Sequence, residues 1–175
     1  MNELIQLLDG SIKVTLGAII AGLTAYWMSG SRVKQHMAQQ KIDHRRDLIE
    51  GIAQQAEQVH HVFMKYFELI YEYMNATKNG YDWPQSRRSE LYLVLDEMVH
   101  SFNELTGAES KLLLLNEKTL YKTLRKFRNK VVFFRRHYYI DKKDLNEQEA
   151  QEIKREVSKL REQFFAELSE CYAKV

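Results

Sequence analysis

Two Glu-x-x-His pairs have the spacing in this sequence most suited to chemistry, Glu57 with His60 and Glu97 with His100. On a helix, positions i and i+3 lie on one side, and di-iron bundles hold metal with such pairs. Those sites also need an inward-facing glutamate from each of two further helices, but the candidates here stand at predicted helix starts, Glu117 and Glu147. Ordinary exposed Glu–His pairs are the alternative, and we predict no metal site.

Residues for nucleophilic catalysis are sparse. The single cysteine, Cys171, has no second cysteine for a disulfide, a zinc knuckle or a redox motif. The sequence context indicates no Ser/His/Asp or Cys/His set and no Gly-rich phosphate loop. We therefore expect no catalytic residues, no cofactor and a reducing compartment for the soluble part.

A basic segment is the third candidate for chemistry. Residues 111–143 carry eleven basic and two acidic residues, a net charge of +9, whereas residues 47–110 carry four basic and eleven acidic residues, a net charge of −7. Three partners suit the basic segment: RNA or DNA, anionic lipid headgroups, and the acidic helices of the same chain. Interleaved aromatic residues are suited to base stacking, although helical spacing of aromatics is also typical of a core. The candidate contact residues are Lys118, Lys122, Arg125, Lys126, Arg128, Lys130, Arg135 and Arg136, with Tyr121, Phe133, Tyr138 and Tyr139 as the aromatics.

The segments that carry these candidate residues have apolar side chains at the spacing of an α-helix. Only seven glycines and one proline occur in 175 residues, which is too few for the turns of a many-stranded β fold. Apolar residues at alternating spacings of three and four predict four amphipathic helices. We therefore predict an all-α fold, with a bundle of four or alternatively five helices over residues 32–175. The first seam comprises Ile49, Ile52, Ala56, Val59, Phe63, Tyr66, Ile70 and Tyr73.

Turn and cap residues predict where these helices begin and end. Each signal depends on side-chain oxygens that cap free backbone N–H groups, or on residues that favour turns. In chain order they are a turn at Asn79-Gly80, a capping box at Asp82-x-x-Gln85, a stop at Thr106-Gly107, an N-cap at Asn116 and a capping box at Asp144-x-x-Glu147.

An uncharged segment precedes the predicted bundle, from Val14 to Ser31. Eighteen helical residues are about 27 Å long, close to the thickness of a bilayer's hydrocarbon core. Five basic residues follow in 32–46, and the positive-inside rule then puts the C-terminal part in the cytoplasm. We predict that residues 1–31 form an N-terminal flank and a single transmembrane helix in the lipid bilayer, with a buried core helix as the alternative.

Small residues recur along this segment. Apolar burial does not favour helix pairing within lipid, so a stripe of small residues is typical of a helix–helix contact, and with one span the partner is another chain. We therefore predict a homo-oligomer. Asp9 and Lys13, four residues apart, either line a pore at one membrane surface of that oligomer or lie among the headgroups. The predicted interface comprises Gly17, Ala18, Ala21, Gly22 and Ala25.

The layout of one span, a compact helical bundle and an Arg128-Asn129 step on a late helix resembles the small membrane-anchored HEPN-like accessory proteins of type VI-B CRISPR antiviral systems. The resemblance covers the architecture of most of the chain. It implies action at the bacterial inner membrane during phage defence, as an oligomer, with RNA or a defence protein as partner. HEPN ribonucleases place a histidine shortly after the arginine, whereas His137 lies nine residues after Arg128, on the opposite helix face. The sequence therefore predicts no HEPN-type cleavage.

Two functions remain from these patterns. The first is a membrane-tethered helical effector or scaffold that oligomerises, with a membrane-perturbing pore in antiviral defence as its extension. The alternative is a tethered module that binds nucleic acid, or a degenerate HEPN-like module that interacts with RNA.

Overall fold

The computed structural model describes the backbone of residues 2–142 and 144–174 and the side chains of residues 37, 39–142 and 144–174. Four helices account for most of these residues, and none of the residues described is in a strand. The all-α prediction and the four-helix bundle are therefore confirmed. The helices are α1 (Asn2–Lys78), α2 (Gln85–Leu114), α3 (Lys118–His137) and α4 (Glu147–Tyr172).

The chain divides into two compact units, residues 1–45 and 46–175. The second unit contains the bundle, built from the later part of α1 with α2, α3 and α4. Within the part of the chain that the structure describes, no helix is long and apolar enough to cross a membrane. The predicted span, its stripe Gly17, Ala18, Ala21, Gly22 and Ala25, and the polar pair Asp9 and Lys13 lie outside the residues with described side chains. These stay predictions.

The face of α1 that enters the core is wider than the sequence predicts. All eight predicted seam positions, from Ile49 to Tyr73, are buried. Neighbouring positions such as Val62, Phe67 and Leu69 are buried as well. A seam of two residues per heptad suits a helix with one partner, whereas a helix in a bundle core contacts several neighbours and buries a broader stripe.

An aromatic cluster joins α1 to α3 at the centre of the core. The ring of Phe134 lies 5.5 Å from that of Phe63, edge to face, and 5.4 Å from that of Phe67. The Tyr138 ring stacks on Phe134 at 4.6 Å. The Tyr66 hydroxyl donates a hydrogen bond to the Tyr138 carbonyl oxygen, 2.7 Å away, so the polar atom of this buried tyrosine is satisfied.

The predicted stop at Thr106-Gly107 is wrong, because α2 continues to Leu114. Ala108 and Leu112 keep the apolar spacing beyond Leu105, and both are fully buried. Burial of these side chains outweighs the roughly 1 kcal/mol by which a glycine disfavours a helix interior.

Two of the predicted N-caps are replaced by other residues. Helix α2 begins at Gln85 after Pro84, without a side-chain cap, so the capping box at Asp82 does not form. In α4 the cap is Asn146, whose Oδ1 accepts hydrogen bonds from the N–H groups of Gln148 and Glu149. Asp144 instead has a positive φ of 62° before the helix. The predicted turn at Asn79-Gly80 is confirmed, with Gly80 at φ 71°.

Asn116 does not cap α3, as the sequence predicts, but ends α2. Its φ of 59° lies in the left-handed region, which asparagine tolerates better than most residues. Its N–H donates to the Leu113 carbonyl oxygen at 3.0 Å, and the Glu117 N–H donates to that of Leu112 at 2.9 Å. This pair of bonds is a Schellman motif, so the corner between α2 and α3 is closed by backbone hydrogen bonds.

Candidate nucleic-acid interface

Helix α3 has a buried apolar side and an exposed cationic side. Leu124, Phe127 and Val131 are among the core residues. Successive residues of a helix are 100° apart around its axis. On the side opposite these core residues, a set of polar and charged positions lies within an arc of about 100°. We call this set the cationic face: Lys118, Lys122, Arg125, Lys126, Asn129 and Arg136, all exposed.

The cationic face runs the full length of α3. From Lys118 to Arg136 it extends about 27 Å along the helix axis. No carboxylate forms an ion pair with Lys118, Lys122, Lys126 or Arg136 among the residues that the structure describes. The fifth cation, Arg125, donates from Nη1 to the Tyr121 hydroxyl at 3.1 Å. These cations are therefore available to an external anion.

Two of the predicted contact residues are instead engaged within the bundle. Arg128 is half-buried, and its Nη1 donates to Glu109 Oε2 on α2 at 2.9 Å. Lys130 forms an ion pair with Glu156 of α4. Neither presents a free charge to a partner. Arg135, the remaining candidate, is exposed but lies outside the cationic face, about 80° from its nearer edge.

Glu109 is the buried acid that the sequence does not reveal. Only 7% of this residue is exposed, and Oε1 has no hydrogen-bond partner among the described atoms. Burial raises the pKa of the Glu109 carboxyl, while the nearby charges of Arg128 and Arg125 act to lower the pKa. Arg128 therefore compensates a buried carboxylate, which is a structural role.

Exposed aromatic rings accompany the cations at the C-terminal end of α3. The Phe133 ring is 39% exposed and stacks on His137, with ring centroids 4.0 Å apart. Lys130 Nζ lies 5.4 Å from the Phe133 ring centroid. Tyr139 is also exposed, whereas Tyr138 is a core residue. Phe133 and Tyr139 are thus the exposed aromatic residues at this end of α3.

The two residues of the HEPN-like motif are not brought together. Arg128 is paired with Glu109 on α2. His137 is exposed, with Nδ1 2.8 Å from the carbonyl oxygen of Phe133. The two side chains therefore contact different neighbours.

The Glu-x-x-His pairs are engaged in other contacts. Arg161 Nε donates to Glu57 Oε2 at 2.7 Å, and Lys65 Nζ donates to Glu97 Oε2 at 3.1 Å. Desolvation is the largest cause that lowers the pKa of His60, while His100 is exposed. No group of three metal-ligating side chains occurs in the described part of the chain.

A groove of about 780 Å³ lies between the end of α1 and the segment before α4. Its walls carry charges of both signs, including Lys78, Asp141 and Glu147. Lys78 Nζ donates to Glu147 Oε2 at 3.2 Å, and the Tyr73 hydroxyl accepts from the Asp141 N–H at 2.9 Å. These contacts hold the segment before α4 against the end of α1.

Comparisons with models of protein families, with curated proteins and with solved structures find no match for this chain. The similarity to HEPN-like accessory proteins therefore depends on the sequence layout alone and stays a prediction.

Proposed function

We propose that this protein is a membrane-tethered, non-catalytic helical module that binds single-stranded RNA through the cationic face of α3. The observation that carries the proposal is the row of five exposed cations along one side of a rigid helix. The tether is supported by the uncharged segment from Val14 to Ser31 and its basic C-terminal flank.

The alternative partner for these cations, the acidic helices of the same chain, is engaged elsewhere. Glu68 of α1 accepts from Lys154 of α4, and Glu72 of α1 pairs with Arg87 of α2. Among the described ion pairs, one joins an acidic residue before position 111 to α3, and that residue is Glu109. The charge of the basic segment is therefore only partly neutralised within the bundle.

An extended row of cations suits a phosphate backbone better than a compact anion. Each phosphate neutralised on a single strand contributes about −0.7 to the slope of log K against log salt concentration, so five contacts give a slope of about −3.5. Between roughly 50 and 200 mM salt the affinity then falls about 100-fold. Exposed Phe133 and Tyr139 add base stacking, which is tolerant of sequence.

The experiment measures RNA binding by the full chain in detergent, with fluorescence anisotropy of a labelled single strand over a salt series. Lys122→Glu with Lys126→Glu should weaken binding and reduce the salt slope by about 1.4. The control is Arg155→Glu with Lys159→Glu, an equal charge change at exposed positions with the same spacing on α4. No binding at low salt, or equal loss in both double variants, would contradict the proposal.

The membrane tether has its own test. We propose residence in the bacterial inner membrane with the bundle in the cytoplasm. Intact chain should sediment with membranes at low and high salt. Cys171 is buried and is a poor topology probe, so Leu93→Cys, at a position 68% exposed, should react with an impermeant thiol reagent only after cell lysis. Soluble intact chain, or labelling from outside, would refute this topology.

The second candidate function is an oligomeric scaffold or effector, with the pore in antiviral defence as its extension. Beside its buried seam, α2 has a second stripe at the same spacing, formed by Tyr92, Leu95, Val99 and Phe102. Tyr92 and Val99 are exposed, and Leu95 and Phe102 are partly buried. A second helix suits such a stripe. Size measurement of the full chain in detergent tests this function, and a monomer at all concentrations would contradict it.

A further inference from the structure

The corner between α2 and α3 exposes two leucines at one end of the bundle. The run Leu112 to Leu115 spans about 300° of a helix, so its four side chains cannot all face the core. Leu112 is fully buried and Leu115 packs against the core. Leu113 is 50% exposed and Leu114 is 86% exposed. We call Leu113 and Leu114 the leucine corner.

The corner is held rigid rather than left as a loose loop. The Schellman motif of Asn116 and Glu117 closes it with two backbone hydrogen bonds. Lys111, one turn before the leucines, lies beside α1, with Nζ 3.9 Å from the position that a Cβ on Gly51 would occupy. The exposed leucines are therefore presented in a fixed geometry.

The charge around the corner is strongly positive. Between positions 111 and 126 the chain carries five basic residues and one acidic residue, Glu117. Lys118 and Lys122 follow the leucines within two turns of α3 and are exposed. Exposed apolar side chains at a corner, followed along the chain by exposed lysines, match the layered chemistry of an anionic bilayer, in which leucine enters the acyl region and lysine remains among the headgroups.

We infer that the leucine corner docks on an anionic lipid bilayer. The complementary charge favours this occupant over a neutral apolar surface. The inference shares Lys118 and Lys122 with the RNA proposal, but its apolar contact, Leu113 and Leu114, takes no part in RNA binding. Docking at this corner gives the bundle a second membrane contact besides the predicted span.

The experiment reads the environment of a fluorophore at the corner in the full chain. NBD is attached to Leu114→Cys in a Cys171→Ala background, and the protein is reconstituted in vesicles of phosphatidylglycerol and phosphatidylethanolamine or of phosphatidylcholine alone. The matched control is Leu93→Cys, an exposed leucine on the side of α2. Circular dichroism confirms that each variant retains the helical fold.

The expected result is a blue shift and quenching by doxyl-labelled lipid at Leu114→Cys in the anionic vesicles, with emission typical of water at Leu93→Cys. Adding Lys118→Glu and Lys122→Glu should remove the shift. Equal emission at the two positions, or an equal shift in phosphatidylcholine, would overturn the inference. A shift that doxyl lipid does not quench would also overturn it, because such a shift indicates contact with protein. If the chain stays soluble without detergent, the same label is read after addition to preformed vesicles, so the tether and the corner fail separately.

Discussion

Replacing Arg128 by methionine tests whether this arginine has a structural role. The substitution keeps an unbranched apolar stem and removes the guanidinium that donates to Glu109 Oε2 at 2.9 Å. Glu109 stays buried, with Oε1 already lacking a partner among the described atoms. We expect the variant to be less stable at neutral pH, because a buried carboxylate without its partner is strongly unfavourable.

The size of the loss has a ceiling, because the carboxyl can bind a proton. A glutamate with the usual pKa of 4.5 is ionised at pH 7, and protonating it requires about 1.36 kcal/mol for each pH unit above that pKa. Folding with a protonated Glu109 at pH 7 therefore costs about 3.4 kcal/mol. At pH 5 the same ceiling is about 0.7 kcal/mol. Arg125 also lowers the pKa of Glu109 and remains in place, so the loss stays below these limits.

The sign of the pH dependence follows from the direction of the pKa shift. Burial raises the pKa of Glu109 in the folded state, so the folded chain binds this proton more tightly than the unfolded chain. The contribution of Glu109 to stability is greatest below pH 4.5 and declines as the pH rises through the folded pKa. Removing Arg128 raises that pKa further, so the decline in stability continues to a higher pH and its total is larger.

Urea unfolding of the full chain in detergent, followed by circular dichroism at pH 5 and pH 7, measures both effects. The control is Arg136→Met, the same change at an exposed residue of α3, which should stay within about 0.5 kcal/mol of the unsubstituted protein. Equal losses at the two pH values, or Arg128→Met as stable as Arg136→Met, would refute the reasoning. Cleavage of RNA by the unsubstituted protein that Arg128→Met abolishes would instead support the HEPN-type reading.

The remaining predictions concern the core, two glycines and the predicted span. Phe134→Ala should destabilise the bundle by about 3–5 kcal/mol, whereas Phe133→Ala should stay within about 0.5 kcal/mol; equal urea midpoints would contradict the aromatic cluster. Gly107→Ala should stabilise by about 0.5–1 kcal/mol because no atom meets the new Cβ. Gly80→Ala should destabilise by about 1–2 kcal/mol because φ is +71°, and the opposite order of melting temperatures would disprove this. Ala21→Leu should weaken assembly in detergent while membrane sedimentation is retained, and an unchanged size distribution would rule out the small-residue interface.

Local periodicity was sufficient to predict the core seam of α1, whose eight positions are all buried. Positions three and four apart share a helix side whatever the neighbouring element is, so this seam follows from spacing alone. The helix ends did not follow in the same way. Asn116 suits an N-cap and a left-handed C-terminal position equally well, and only the path of the chain at the corner selects the second.

The composition of the site was predictable, but its charge pairing was not. The sequence identifies a basic helix and eight candidate cations, because charge is a property of the residues themselves. It does not place Glu109 beside Arg128 or Glu156 beside Lys130, since those contacts join different helices. The exposed leucine corner has a local signal, the run of four leucines, that spacing alone already shows to be too wide for one face.

The sequence by itself thus determined the presence of four helices, the core seam of α1 and the separation of charge into acidic and basic segments. Each depends on residue types a few positions apart. Only the tertiary structure decided which cations are neutralised and which remain exposed, because an ion pair requires two side chains within about 4 Å and that distance is set by helix packing. Arg128 and Lys122 are alike as residues in the sequence, and the position of α2 makes one structural and leaves the other free for a ligand.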